Sequence, residues 1–264
     1  MKKLNSIYFI LVLIFVSSCT RSDFLIKNAL LQSSNVVEIQ FSGTPAADFT
    51  KTVQIEPAVK IVSSTVENGI LKINTSEKFL LDQHYYLVLK NGEKIFIRPD
   101  GILDELYSDK PMGYSYENNR LAFRVFAPRA KWVKIVFYDQ HDANTGEEMK
   151  MTKDQDGVWE FFSEVNKNLN FYGYRVWGPQ GNGEVFDSTV VIADPFSPAA
   201  VSMNHFTHPA KTLILPEKSN FKWGKDTFTD IDQRDLIIYE MHVRDLTAHP
   251  SAQIPEKLKG SYKG

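Results

Sequence analysis

One cysteine is all that the 264 residues hold, and it lies at position 19. An intramolecular disulfide framework is thereby excluded, so packing of apolar side chains has to stabilise whatever this chain folds into. Neither charge sign dominates: 30 Lys and Arg stand against 32 Asp and Glu, a formal net charge of −2. Binding to nucleic acid needs a basic footprint that displaces phosphate counterions, so no nucleic-acid partner is expected. Long hydrophobic runs are scarce too, the main one reaching only from about Ile7 to Val16 and falling short of the ~20 residues that span a bilayer. No glycine-rich phosphate loop stands in the first hundred residues, and no cofactor is expected. His205 and His208 in "MNHFTHP" have an i, i+3 spacing, yet no cysteine or acidic cluster completes a site, so no metal is expected either.

The short apolar run does have a use where it stands. "MKKLNSIYFILVLIFVSSC" places Lys2 and Lys3 before it and small residues after it, the order of an export signal. Ser17 and Ser18 directly before Cys19 resemble a bacterial lipobox, in which the thiol takes up a thioether-linked lipid. Residues 1–19 therefore read as a lipoprotein signal, and the expected location is the bacterial cell envelope, with the membrane reached through a lipid on Cys19.

Composition then turns to strands. Between residues 23 and 100, "VVEIQF", "TVQI", "KIVSSTV", "ILKI", "YYLVL" and "KIFI" are rich in β-branched and aromatic residues, and Asn68-Gly69 and Asn91-Gly92 sit between pairs of them. Asn-Gly tolerates the positive φ angles of tight turns, so two hairpins are predicted within an immunoglobulin-like sandwich. No paired acids or clustered histidines occur there, and a spacer role is expected. A second β module spans 108–212. "RLAFRVFAP" alternates Leu121, Phe123 and Val125 against polar neighbours, and "KWVKIVFYD" puts Val133, Ile135 and Phe137 on one face, with Trp132, Lys134, Val136 and Tyr138 on the other. "GVWEFFSEV" assigns Trp159, Phe161 and Val165 to the core, and "FYGYRVWG" separates Tyr172, Tyr174 and Val176 from Arg175 and Trp177. Asp154 and Asp156 in "TKDQDGVW" lack the ligand register of a calcium loop and read as a turn before a strand.

These segments carry a resemblance. "FRVFAPRAKWVKIVFYD", "GVWEF", "FYGYRV" and "ADPFSPAAVSMN" resemble the starch- and glycogen-binding β-sandwich module that precedes the catalytic barrel in pullulanases, isoamylases and branching enzymes of the α-amylase superfamily, glycoside hydrolase family 13. "DLIIYEMHVRDLT", residues 235–247, is similar to the first barrel strand of those enzymes, most of all type I pullulanases. The resemblance implies a mainly β chain of two tandem sandwiches, followed from residue 230 by the start of a (β/α)8 barrel. It also implies an α-glucan such as starch, glycogen or pullulan as partner, and hydrolysis of α-1,6 bonds as the activity of the whole enzyme. Such a barrel takes about 250 residues, so this chain is expected to be the N-terminal part of a larger hydrolase.

In that family the catalytic acids come from later barrel strands, so none is carried over here. Glu240 and Asp245 are a tempting pair, but five residues of strand separate them by roughly 16 Å, whereas a retaining glycosidase holds its two carboxyls about 5 to 5.5 Å apart. Tyr239, Glu240, His242, Arg244 and Asp245 are therefore expected to support the first strand and its loop, with Glu240 pairing Arg244 or His242. For sugar binding, aromatic rings on the solvent face of the second sandwich are the expected instruments. Trp132 and Trp177 are the candidates, with Lys134 as a hydroxyl ligand; packing of that face on a barrel is the alternative.

Overall fold

The computed structural model describes residues 25–43, 49–164, 169–201, 210–217 and 221–264. The export signal with Cys19, Val165, and the His205 and His208 pair lie outside the described residues. The chain divides into two compact units, one reaching Glu217 and the other Lys218–Gly264.

The first unit is mainly β, as expected, and contains two sandwiches. The first comprises β1 (Leu25–Ser33), β2 (Val36–Ser42), the short helix α1 (Phe49–Thr52), β3 (Gln54–Glu56), β4 (Ile61–Glu67), β5 (Ile70–Thr75), β6 (Tyr85–Val88), β7 (Lys94–Ile97) and helix α2 (Asp100–Leu103). One sheet runs β1-β2-β5-β4 and the other β3-β6-β7. Alternation decides which residues face inward: Val37 and Ile39 of β2, Leu71 and Ile73 of β5, and Leu87 of β6 are fully buried in one cluster. Asn68 and Gly69 adopt φ of 51° and 76°, closing β4 onto β5 with Glu67 opposite Ile70. The second predicted hairpin also forms, with a longer loop. Leu89 and Glu93 pair across Lys90, Asn91 and Gly92, and only Gly92 takes a positive φ, 85°.

The second sandwich comprises β8 (Gly113–Glu117), β9 (Arg120–Phe126), β10 (Trp132–Tyr138), β11 (Glu147–Lys150), β12 (Thr152–Lys153), β13 (Val158–Glu164), β14 (Phe171–Trp177), β15 (Ala200–Val201) and β16 (Lys211–Leu213). Its sheets run β12-β13-β9-β8 and β11-β10-β14-β16-β15. Leu121, Phe123, Val125, Val133, Ile135, Trp159, Tyr172 and Tyr174 meet in the core, the inward sets that alternation predicts. Phe123 packs edge-on against Tyr172 with ring centroids 4.9 Å apart. The Asp154 turn is confirmed: its Oδ1 accepts from the backbone N–H of Asp156 at 2.9 Å and of Val158 at 2.8 Å.

The second unit departs from expectation. Leu236 to Met241 pairs with no described strand, and the chain coils into helix α3 (Val243–Ala248) where the barrel strand was predicted to continue. A continuous apolar run such as "LIIYEM" suits a strand covered on both faces, but a strand also needs neighbours for its N–H and C=O groups. Residues 221–264 form only α3 and short 3₁₀ turns, so no ladder is available within the unit, and Ile237 is left 98% exposed.

Candidate functional site

Chemistry-bearing side chains collect along β10 and β14 of the second sandwich, with Trp132, expected to face away from the core, packed in part against it. Because β10 and β14 run antiparallel in unbroken register, Trp132 falls opposite Trp177 and Lys134 opposite Arg175. Both tryptophans are half-buried. Lys134 holds its ammonium over the Trp132 ring, 5.4 Å from the centroid, and donates to Glu148 Oε2 at 2.8 Å. Arg175 Nε donates to the other oxygen of Glu148 at 2.7 Å. The hydrogen bond from Lys134 leads the causes that hold the Glu148 carboxyl below its usual range, so it is a carboxylate at neutral pH. The three residues singled out from the sequence, Trp132, Lys134 and Trp177, are thus neighbours. Glu148 and Arg175, which orient Lys134, were missed. The cross-strand position of Arg175 was available once β10 and β14 were paired, but nothing in the sequence marked Glu148 as reaching both cations.

This face is shorter than alternation suggests. Val136 and Tyr138, expected on the open side, are buried against Val191, with Phe171 and Ala143 beside them. Residues 191–192 lie close over β14, and Tyr174 and Ile192 exchange backbone hydrogen bonds at 2.8 and 2.9 Å. Glycine at 173 permits this approach, since a Cβ there would stand 2.6 Å from Val191 Cγ1 and 2.8 Å from Ile192 O. A glycine inside a strand is the one sequence signal that could have announced the covering segment. Next to it, Asp194 Oδ2 accepts from the buried hydroxyls of Tyr172 at 2.6 Å and Tyr174 at 2.9 Å. Burial pushes both phenols well above their ordinary range, so they remain neutral donors.

Among the described residues of the second unit no comparable constellation gathers. Tyr239 is exposed, and His242 Nδ1 lies 3.4 Å from Asp245 Oδ2 across the first turn of α3, both side chains largely in solvent. That contact replaces the expected pairing of Glu240 with Arg244 or His242, because the helix brings residues three apart onto one side. The backbone at Gly260 passes close to Arg244, since a Cβ there would stand 3.1 Å from Arg244 Cγ. A cleft of about 550 Å³ in this unit is lined by Trp223, Asp226, Thr227, Phe228 and Thr229, with a single carboxylate among them. Among the described residues no group of three or more His, Cys, Asp and Glu is placed to hold a metal.

Residues 111–197 match the carbohydrate-binding module 48 family, the isoamylase N-terminal domain. The second sandwich is thus similar to the isoamylase N-terminal module. Isoamylase 3 of Oryza sativa subsp. japonica is 30% identical over 179 residues, covering 58% of this chain and 22% of that protein. The glycogen debranching enzyme of Erwinia tasmaniensis is 27% identical over 174 residues, covering 58% and 25% respectively. The chain thus spans about a quarter or less of the length of these relatives. In fold, the chain is similar to the Group B Streptococcus pullulanase SAP in complex with maltotetraose, with a TM-score of 0.56, 18% identity, and coverage of 87% of this chain and 32% of that one. The Trp132 and Trp177 pair lies inside the matched module.

Proposed function

We propose that this chain serves an exported α-glucan debranching hydrolase of the pullulanase type, acting on α-1,6-glucosidic bonds, and that its carbohydrate-binding module holds the glucan through Trp132 and Trp177. The observation that carries this reading is the cross-strand tryptophan pair on the open half of a module matched to that family. Half-buried rings offer an apolar surface to the C–H face of a glucose unit, while Lys134, Arg175 and Glu148 stand alongside as donors and acceptor for hydroxyls. The maltotetraose complex of the streptococcal pullulanase supports an α-1,4-linked oligosaccharide as the ligand class.

Chemistry is a separate matter from binding. Retaining hydrolysis needs two carboxyls about 5 to 5.5 Å apart flanking a bound sugar, and the cleft of the second unit offers only Asp226. The chain by itself is therefore proposed to be inert, with Tyr239, Glu240, His242, Arg244 and Asp245 supporting the first strand of a barrel when neighbouring strands are present. A non-catalytic surface glucan-binding protein is the second reading, favoured by the fact that the tryptophan face needs no barrel to be assembled.

Affinity electrophoresis through gels containing glycogen or amylopectin tests the binding. Retardation is expected for the wild type, and Trp132→Ala or Trp177→Ala should weaken it about tenfold, equivalent to ~1.4 kcal/mol. Equal mobility in glucan and plain gels would remove the binding claim. Release of reducing ends from pullulan by the purified chain would remove the claim of inertness.

A further inference from the structure

Asn182-Gly183 is another Asn-Gly pair in this chain, and it is not part of either predicted hairpin. Gly181, Asn182 and Gly183 take φ of 95°, 53° and 89°, and Gly181 and Glu184 exchange backbone hydrogen bonds at 3.1 and 3.0 Å. So tight a turn projects the side chains of Asn182 and Glu184 beyond the second sandwich, where they meet the first. Asn182 Nδ2 donates to the Tyr86 hydroxyl at 2.7 Å and lies 3.2 Å from His84 Nδ1. Glu184 Oε2 lies 2.6 Å from His84 Nε2.

Arg129 completes the joint. Its Nη2 donates to Glu184 Oε2 at 2.7 Å, its Nε bonds the other carboxylate oxygen, and its Nη1 donates to the Leu81 carbonyl of the first sandwich at 2.7 Å. Arg129 is 7% exposed and largely removed from water. Burial alone would raise the Glu184 carboxyl, but hydrogen bonds from Arg129 and His84 outweigh it and hold the group below its usual range. Desolvated charged hydrogen bonds of this kind are the strong ones, and the two partner sets are about a hundred residues apart in sequence. By contrast, residues 104–109 between α2 and the second sandwich form no strand, and Tyr107 is 78% exposed. Glu105 and Leu106 still bond back to Ile102 and Leu103 of α2, and on the far side Lys110 is tied to Asp154 at 2.8 Å and Glu160 at 2.9 Å.

We propose that the Gly181 to Glu184 turn is an inter-sandwich clasp that makes the two sandwiches a single rigid arm, and that releasing it lets them turn about residues 104–109. The clasp sits at the Trp132 and Trp177 end of the sheet: Arg129 precedes Trp132 by three residues, the turn follows Trp177, and Lys131 N donates to the Trp177 carbonyl at 2.7 Å. The first sandwich is thereby held at that end, whether or not a glucan binds there.

Tryptophan distribution makes the clasp testable, because Trp132, Trp159, Trp177 and Trp223 all lie beyond residue 110 and the first sandwich has none. In the full chain carrying Trp223→Phe, which leaves tryptophans only in the second sandwich, urea unfolding followed by tryptophan fluorescence should coincide with unfolding followed by far-ultraviolet circular dichroism, to which the strands of both sandwiches contribute, as one cooperative unit requires. In Glu184→Ala the two curves should separate, and small-angle scattering should show a larger radius of gyration. His84→Ala/Tyr86→Phe approaches the clasp from the first sandwich and leaves the second sandwich intact, so it should give the same separation even if Glu184→Ala does not fold. Curves that are already separate with Trp223→Phe alone, or that stay coincident with unchanged scattering in His84→Ala/Tyr86→Phe, would overturn the proposal.

Discussion

Arg124 shows how a single residue is read correctly by pattern and incompletely by partner. Alternation along "RLAFRVF" sends it away from the core, yet it is only 6% exposed, because charges on neighbouring strands close over it. Its Nη1 and Nη2 donate to Glu117 at 2.6 and 2.9 Å and its Nε to Glu160 at 2.7 Å, while Lys110 links Glu160 to Asp154. Hydrogen bonds from Arg124 first, and Ser115 second, lower the Glu117 carboxyl from 4.5 to about 2. A carboxyl depressed by folding contributes stability above its ordinary value and loses it as pH falls toward the folded one. The contribution of Glu117 is therefore complete above about pH 4.5 and fades toward pH 2. Glu117→Gln should lower stability at pH 7 by about 1–2 kcal/mol, since a charge-assisted bond is lost at a partly exposed site. It should also narrow the stability gap between pH 7 and pH 3. Urea titrations at both pH values check this, and an unchanged gap would mean that Glu117 does not set the acid limb. The sequence carries the charges of this ladder but not their pairing, which depends on the register of β8, β9 and β13.

Turns and strand interiors set the outcome for whole elements. Asn68-Gly69 was legible because the requirement for positive φ is met by few residue pairs, and the β4–β5 hairpin follows from it. Asn118-Asn119 does the same work between β8 and β9 with φ of 47° and 61°, and was missed because asparagine is a weaker signal than glycine there. In β14 the decisive residue is Gly173, whose missing Cβ admits the Val191 and Ile192 segment. Gly173→Ala should force that segment outward and cost about 1–3 kcal/mol, the usual range for overpacking. A lowered urea midpoint with unchanged slope is the expected result; wild-type stability would mean that the covering segment yields without strain. The same element explains why Tyr138 does not share the open face with Trp132 and Trp177: alternation assigns a side of the sheet, but another segment decides whether that side meets water.

At the scale of the whole molecule, the export reading rests on the N-terminal residues. Cys19→Ser should abolish incorporation of labelled fatty acid and move the protein from the membrane fraction to the soluble one when expressed in a bacterial host; persistence in the membrane fraction would mean that Cys19 is not the anchor. The mainly β architecture and the inward-facing set of the second sandwich were determined by the sequence alone, because two-residue alternation and turn chemistry act between near neighbours whatever the rest of the chain does. What only the tertiary structure decided are matters of partnership. Trp132 and Trp177 were set opposite each other through the pairing of β10 and β14, and Asn182 and Glu184 became a clasp through contact with His84 and Tyr86. Leu236 to Met241 remained unpaired for the converse reason: strand-forming side chains supply the propensity, but the backbone hydrogen bonds that make a strand must come from a neighbour, and residues 221–264 contain none.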